Sequence, residues 1–308
     1  MGAGWVAGVT RAKAMAAGRA GTDTARALAS APNLPEALRA LTGTPYRRGL
    51  DTRAGAAEAQ RSVADALVWQ LRVLAGWQPQ SGARAVRLLA AGFEIENTRD
   101  LLRSPTGGPP PAPYRLGALA TVWPRLSAAG SAADVRAVLA TSVWGDPGGD
   151  TCGEVITAMR LSAAARTAAH LPPAARWAAG EAALLVAREV HLTGRRLTAP
   201  AARDAARLLG RAAVRAATFA QYREHLAPAA RWALADVEGP QDLWRAEARW
   251  WPAVDRDAQS LLSGARFALP AVVGAVAALS VDAWRVRAAL GCAAHGGRAR
   301  EAFDELLG

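Results

Sequence analysis

The chain has 308 residues, of which 51% are apolar, so it is long enough to bury a core and too apolar for wholesale disorder. Its 78 alanines, against three tyrosines and four phenylalanines, predict an all-α protein, because alanine is the best helix former and a poor strand former. Thirty-six of the 37 basic residues are arginine, and the net charge of +11 indicates an acidic partner: nucleic acid, an anionic membrane surface or an acidic protein.

Several other classes of protein are disfavoured by single features of the sequence. Two distant cysteines, Cys152 and Cys292, fit neither a disulfide framework nor a zinc site, and indicate a reducing compartment. The N-terminus has neither the basic start nor the apolar stretch of a signal peptide. The longest charge-free apolar stretch, residues 267–281, is shorter than the ~20 residues of a membrane span, so we expect a buried helix there.

The first well-marked helix begins and ends with recognisable signals. Asn33 and Glu36 have the spacing of a capping box, which predicts a helix start. The helix should end at the turn formed by Thr44, Pro45 and Tyr46, because proline disfavours helical backbone in the residue before it.

Two further amphipathic helices are predicted before residue 105. One covers residues 63–76, and the next, capped by Ser81, has an apolar face that continues to Leu101. Asn97 lies on that apolar face, one turn after Glu94, and a buried amide needs hydrogen-bond partners. We therefore expect a structural polar clamp between helices at Asn97.

Two breaks divide the chain into three segments of similar length. Residues 104–113 hold five prolines and two glycines, which excludes a helix there and predicts a linker. A weaker break lies at residues 197–200. The predicted domains are 1–105, 106–200 and 201–308.

The three segments share a recurring pattern. A nine-residue window that opens with an acid and closes with leucine begins at Glu94, at Glu189 and at Asp282, so the acids are 95 and 93 residues apart. Residues 37–46 also resemble residues 135–144, at an offset of 98. Two elements in one order at nearly one offset favour three pseudo-repeated helical bundles.

The sequence lacks the residue motifs of common active sites. The four histidines are scattered, no glycine-rich loop precedes the single lysine, and no nucleophile elbow occurs. Asp255 and Asp257 are spaced too closely for the magnesium motif of an all-α isoprenoid enzyme, so we expect a solvated face there. We predict no catalytic, cofactor-binding or metal-binding residues.

One cluster of tryptophans leaves nucleic-acid binding open. Trp244, Trp250 and Trp251 alternate with Arg245 and Arg249, and interleaved arginine and aromatic residues can stack bases. Bulky rings that fill gaps between alanine-rich helices explain the same pattern, and we favour packing because no dense basic run occurs.

Four stretches of the sequence resemble one family. They are residues 5–15, residues 34–46 (LPEALRALTGTPY), residues 93–103 (FEIENTRDLLR) and residues 270–290. These resemble the C-subunit family of the bacterial and archaeal V/A-type (V-type) ATPases, which is related to the d-subunit of the eukaryotic V-ATPase. The resemblance is strong over about the first 105 residues, and Arg285 stands where the last family helix has asparagine.

The resemblance implies a funnel of three similar helical domains on the cytoplasmic mouth of a rotating proteolipid ring. Such a protein receives the central stalk, passes torque to the ring and hydrolyses nothing. It implies no cofactor, no small-molecule substrate and no nucleic acid, with peripheral contact to the membrane surface. The motif residues it assigns are Thr44, Pro45, Tyr46, Phe93, Glu94, Asn97, Glu189 and Asp282. The alternative interpretation is a basic all-α protein that binds nucleic acid or acts as a scaffold.

Overall fold

The computed structural model describes residues 2–103 and 111–296, and within them all regular structure is helical, which confirms the all-α expectation. Residues 104–110 of the predicted linker lie outside the described residues. The α-helices are α1 Ala3–Ala17, α2 Gly21–Ala29, α3 Leu34–Leu41, α4 Ala56–Gly76, α5 Gln80–Leu89, α6 Ala91–Arg103, α7 Trp123–Leu126, α8 Ala132–Ala140, α9 Cys152–His170, α10 Ala175–Val186, α11 Ala199–Leu209, α12 Arg211–Val214, α13 Phe219–His225, α14 Pro228–Arg231, α15 Leu243–Ser263 and α16 Leu269–Ala294.

The chain forms two compact units. Unit 1 combines Met1–Val86 with Trp251–Gly308, and unit 2 is Arg87–Trp250. Unit 1 therefore brings together the two ends of the sequence, whereas unit 2 is continuous. The division into segments at residues 105 and 200 stays a prediction.

Unit 1 is built around α16. This helix contacts α1, α2, α3 and α4, and most of its side chains are buried. It is long and apolar enough to cross a membrane, yet 78% of its most apolar 18-residue window is covered by the rest of the chain. Its packing is that of a core helix.

The predicted start and end of α3 are confirmed. The Asn33 side chain accepts a hydrogen bond from the Glu36 amide at 3.0 Å, which satisfies one of the free N–H groups of the first turn. The helix ends at Leu41, and a short 3₁₀ turn at Pro45–Arg47 follows. Proline fixes its own backbone angle and so sets the entry to that turn.

The single helix expected from Ser81 to Leu101 is wrong, because two helices occupy this stretch, and Ser81 lies inside the first of them and does not cap it. α5 ends at Leu89 and α6 begins at Ala91, with a turn at Ala90 between them. The Phe93 amide bonds to the Ala90 carbonyl three residues back, so the spacing of hydrogen bonds changes locally. An interruption of one residue leaves the apolar periodicity nearly intact, which is why the sequence did not reveal it.

Unit 2 has two clusters of buried apolar residues. One gathers α6, α7, α8 and the start of α9 around Leu126, Leu139 and Trp144. The other gathers α9, α10, α11 and the segments after them around Leu161 and Tyr222. Both clusters lie wholly within Arg87–Trp250, so this unit has a core of its own.

Candidate functional site

Asp282 is a buried acid that holds the start of another helix. Its side chain is in the middle of α16 and is 1% exposed. Its two carboxylate oxygens accept hydrogen bonds from the backbone amides of Ala20 at 3.0 Å and Gly21 at 2.7 Å. These amides lie at the positive end of the α2 dipole, where a negative charge is stabilising.

Glu94 has the same role in unit 2. It is 1% exposed, and its carboxylate accepts from the amides of Thr121 and Val122, the closest contact being 2.7 Å to Val122. α7 begins at the next residue, Trp123, so this acid also faces the start of a helix. Glu94 and Asp282 open two of the recurring sequence windows, and in the structure both accept backbone amides at the start of a helix.

The third acid, Glu189, has a different contact. It lies in a π-helical turn, Ala187–Leu192, that continues α10, and its carboxylate pairs with Arg195 at 3.1 Å. Within the described residues it caps no backbone amide. The structure therefore gives Asp282 and Glu94 a common role that Glu189 does not share.

A hydroxyl-centred turn also occurs twice, 98 residues apart. The Thr44 hydroxyl donates to the Leu41 carbonyl at 2.7 Å and accepts from the Tyr46 amide at 3.2 Å. The Ser142 hydroxyl makes the same pair of bonds, to the Leu139 carbonyl at 2.7 Å and from the Trp144 amide at 3.1 Å. Each turn places a buried aromatic ring two residues after the hydroxyl.

The first of these aromatic rings meets the first acid. Tyr46 is 1% exposed, and its hydroxyl donates to the Asp282 carboxylate at 2.8 Å. Burial, and then the neighbouring Asp282 charge, raise the pKa of Tyr46 well above its usual range. Asp282 therefore joins the start of α2 and the turn after α3 to α16.

Asn97 is buried and hydrogen-bonded as predicted, but its partner is Tyr114 in an irregular segment and not a second helix. Asn97 is 1% exposed, its amide nitrogen donates to the Tyr114 carbonyl at 3.0 Å, and its amide oxygen accepts from the Tyr114 N–H at 2.8 Å. The Phe93 ring meets the Tyr114 ring edge-on, with centroids 5.3 Å apart. The two side chains of α6 fix the chain that leads to α7.

The solvated face expected at Asp255 is wrong. Asp255 is 19% exposed at its side chain and pairs at 2.9 Å with Arg285, which is 7% exposed. The partner is thirty residues away on another helix, so local spacing could not reveal the pair. Arg285 thus takes part in a largely buried ion pair in unit 1.

The three neighbouring tryptophans have three different environments. Trp250 packs partly buried against the core of unit 2. Trp251 stacks on Trp284 with centroids 5.2 Å apart, and Trp244 stays 54% exposed with Arg245 over its ring. Packing accounts for Trp250 and Trp251 but leaves Trp244 on the surface.

Arginine and tryptophan pair elsewhere too, and sequence reasoning missed these pairs because most partners are far apart in the chain. Each has a guanidinium carbon 4.1 to 5.7 Å from the ring centroid, a cation–π geometry. The pairs are Arg11 with Trp77, Arg48 with Trp69, Arg166 with Trp144, Arg176 with Trp232, and Arg245 with Trp244.

An open pocket of about 460 Å³ lies beside Glu189 in unit 2. It is lined by the starts of α9 and α11 and by Arg195 and Arg196. Its lining contains two acids and two arginines, of which Glu189 pairs with Arg195, while Glu154 forms a capping box with Thr151 at the start of α9. Across residues 2–103 and 111–296, no three His, Cys, Asp or Glu side chains are grouped to hold a metal ion.

The chain matches no protein-family model, and no curated protein matches it. Its function is therefore inferred from the geometry above together with the resemblance carried by its sequence motifs.

Proposed function

We propose that the protein is a non-catalytic rotor component of a V/A-type ATPase. In this role it is a funnel of three pseudo-repeated helical bundles, peripheral on the cytoplasmic face of the membrane. It joins the central stalk to the proteolipid ring and transmits torque between them. It needs no cofactor, small-molecule substrate or nucleic acid.

The observation that carries this proposal is the recurrence of one local arrangement in both units. Asp282 and Glu94 each accept two backbone amides at a helix start. The turns at Thr44 and Ser142 repeat the same two hydroxyl bonds and the same buried aromatic position. Local features that recur in this way support the pseudo-repeated bundles that the resemblance to the V/A-type ATPase family implies.

The packing of the helices suits torque transmission. A rotor coupler must resist twisting, and closely packed helices deform little. In unit 1, α16 runs so close to α15 that a Cβ atom at Gly274 would lie 2.9 Å from the Ala258 carbonyl oxygen. Small residues at such contacts allow helix backbones to pack closely against each other.

The decisive experiment is capture of the rotary complex. The purified chain, immobilised on beads, is mixed with central-stalk proteins and separately with a detergent-solubilised proteolipid ring of a V/A-type ATPase. We expect both to be retained, with beads that carry no chain as the control. Retention of neither would overturn the proposal. Adjacent reading frames that encode a nucleotide-binding ATPase protein and a two-helix proteolipid would be independent support.

A second candidate, a nucleic-acid-binding or scaffold protein, is favoured by one observation. The exposed Trp244 ring lies under Arg245, a pairing that nucleic-acid-binding surfaces use. This candidate predicts DNA affinity that falls steeply as salt rises, because arginines release counterions from phosphates. Filter binding at two salt concentrations separates it from the rotor component, for which we expect no such affinity.

A further inference from the structure

One surface of unit 1 carries exposed aromatic rings beside arginine side chains. It consists of Arg11, Arg48, Trp69, Arg72 and Trp77, and we call it the α4 surface. Trp69 and Trp77 are 39% and 53% exposed, and Arg72 lies between them in sequence, also exposed. Large exposed aromatic side chains that gather on one face mark an interaction site.

The position of the rings follows from the helix. α4 buries one face with Val63, Leu67, Leu71 and Leu74 and leaves the opposite stripe in solvent. Trp69 and Arg72 lie in the second half of that stripe, and Trp77 is the residue that ends the helix. At 1.5 Å per residue the two rings are attached about 12 Å apart along the axis. The two tryptophans of the α4 surface are thus spaced along one helix.

The guanidinium groups come from three different elements. Arg11 lies on α1 with its guanidinium carbon 5.7 Å from the Trp77 centroid, and Arg48 follows the 3₁₀ turn with its carbon 4.8 Å from the Trp69 centroid. Among the described residues, none of Arg11, Arg48 and Arg72 has a carboxylate partner. Within the described part of unit 1, the α4 surface therefore presents three arginine charges without an ion-pair partner.

We propose that the α4 surface binds the anionic headgroups of a lipid bilayer. Tryptophan prefers the headgroup region, where its apolar ring and its N–H group are both accommodated. Arginines beside such rings meet lipid phosphates, and each cation near an anionic surface adds to the attraction. Trp69 and Trp77 are exposed on one helix and the residue that ends it, where a deformable headgroup layer can meet both rings.

Single-stranded nucleic acid is the competing ligand for exposed tryptophans beside arginines, because its bases stack on aromatic rings.

The inference deepens the proposed function, on which it rests, by naming the surface that lies against lipid beside the ring. Its test nevertheless needs no other protein. The full chain is sedimented with phosphatidylcholine vesicles, with and without phosphatidylglycerol. We expect binding only to the vesicles that contain phosphatidylglycerol, and weaker binding as salt rises.

Two triple variants decide whether the named residues are responsible. R11Q/R48Q/R72Q should weaken binding about fivefold per arginine, or about a hundredfold together. R203Q/R211Q/R215Q removes the same charge from exposed arginines of unit 2 and should change binding about twofold or less. Equal losses in the two variants would overturn the proposal, since net charge alone would explain them.

Two further outcomes complete the test. W69A/W77A should also weaken binding, with thermal unfolding measured to verify that the variant is folded, and wild-type-like binding would overturn the aromatic part. Tighter binding to single-stranded DNA than to vesicles would assign the surface to nucleic acid instead. Failure here is distinct from failure of the rotor proposal, because a chain that captures the stalk and ring but ignores vesicles refutes only the lipid surface.

Discussion

At the scale of single residues, Asp282 holds more of unit 1 together than any local pattern suggests. It accepts two backbone amides and the Tyr46 hydroxyl, from positions 236 to 262 residues away in sequence. Removing the acceptor leaves the buried Tyr46 hydroxyl and two partly buried amides without partners, and an unsatisfied buried donor costs far more than a lost surface bond. The acid is therefore a structural anchor between distant parts of the chain.

The first prediction concerns this anchor. Asp282→Ala should lower the free energy of unfolding by about 3 to 5 kcal/mol, because two amides and a hydroxyl lose their partner. Tyr46→Phe, which removes one of the three bonds, should cost about 1 to 2 kcal/mol. Urea unfolding followed by circular dichroism measures both values.

The matched control for the anchor is Asp23→Ala. Asp23 lies in the first turn of the same helix, α2, but its side chain is fully exposed. Its charge faces the positive end of the helix dipole and Arg26 in full contact with solvent, so the expected loss is much smaller than at Asp282. A loss at Asp282 no larger than at Asp23 would contradict the anchoring role.

Buried tyrosines predict sensitivity to alkaline pH. Burial raises the pKa of both Tyr46 and Tyr222 above the usual value of 10.0, and Asp282 raises that of Tyr46 further. Above about pH 10 the unfolded chain loses phenolic protons that the folded chain keeps. The stability that these groups contribute is complete below that pH and is lost as the pH rises toward the folded-state pKa.

The measurement is the urea midpoint at about pH 9 and at about pH 11, on either side of the ordinary tyrosine pKa. The wild-type urea midpoint should be lower at the higher pH than at the lower pH. This decrease should be smaller in Tyr46→Phe and in Tyr222→Phe. Tyr222 is a useful second case, because its hydroxyl donates to the Ala183 carbonyl and no acid is involved. Equal falls in all three proteins would assign the effect to other groups.

At the scale of elements, the sequence predicted the features that depend on neighbouring residues, namely helix caps, helix stops and apolar faces. The cap at Asn33 and the stop at Pro45 place α3 correctly, and the apolar stripe places α4 and the buried Asn97. The sequence did not reveal the break at Ala90, which hardly disturbs the apolar period. It also did not reveal the Asp255–Arg285 pair, because its partners meet only after two helices pack together.

Helix contact in unit 1 gives an element-scale prediction. Glycine inside a helix is normally replaced by alanine with a gain of up to about 1 kcal/mol. At Gly274 of α16, however, a Cβ atom would lie 2.9 Å from both the Ala258 carbonyl oxygen and the Leu261 Cβ. Gly274→Ala should therefore destabilise the protein by about 1 to 3 kcal/mol, since the backbone of α15 cannot move away freely.

The same helix supplies the control. At Gly291 the nearest atom to an added Cβ is the Gln60 amide nitrogen at 3.5 Å, an ordinary contact. Gly291→Ala should leave the thermal midpoint unchanged or raise it. A loss of stability in Gly274→Ala without one in Gly291→Ala would locate the close approach of α15 at Gly274. No loss of stability in either variant would show that α16 tolerates movement at Gly274.

At the scale of the whole molecule, the two units differ in how the chain forms them. Unit 2 is continuous and contains both of its apolar clusters. Unit 1 needs α16, from the C-terminal part of the chain, to bury α1, α2, α3 and α4. Without that helix its first 86 residues would expose their apolar faces, and they would lack the acid that caps α2.

The two modes of assembly predict how fragments of the protein fold. Arg87–Trp250 expressed alone should be helical and unfold in one cooperative transition, because its core is its own. Met1–Val86 alone should show little cooperative structure, and mixing it with Trp251–Gly308 should restore helicity and a transition. Circular dichroism of the separate and mixed fragments measures this. Cooperative unfolding of Met1–Val86 by itself would show that unit 1 folds without α16. It would also show that the contacts of Asp282 are not needed for that fold.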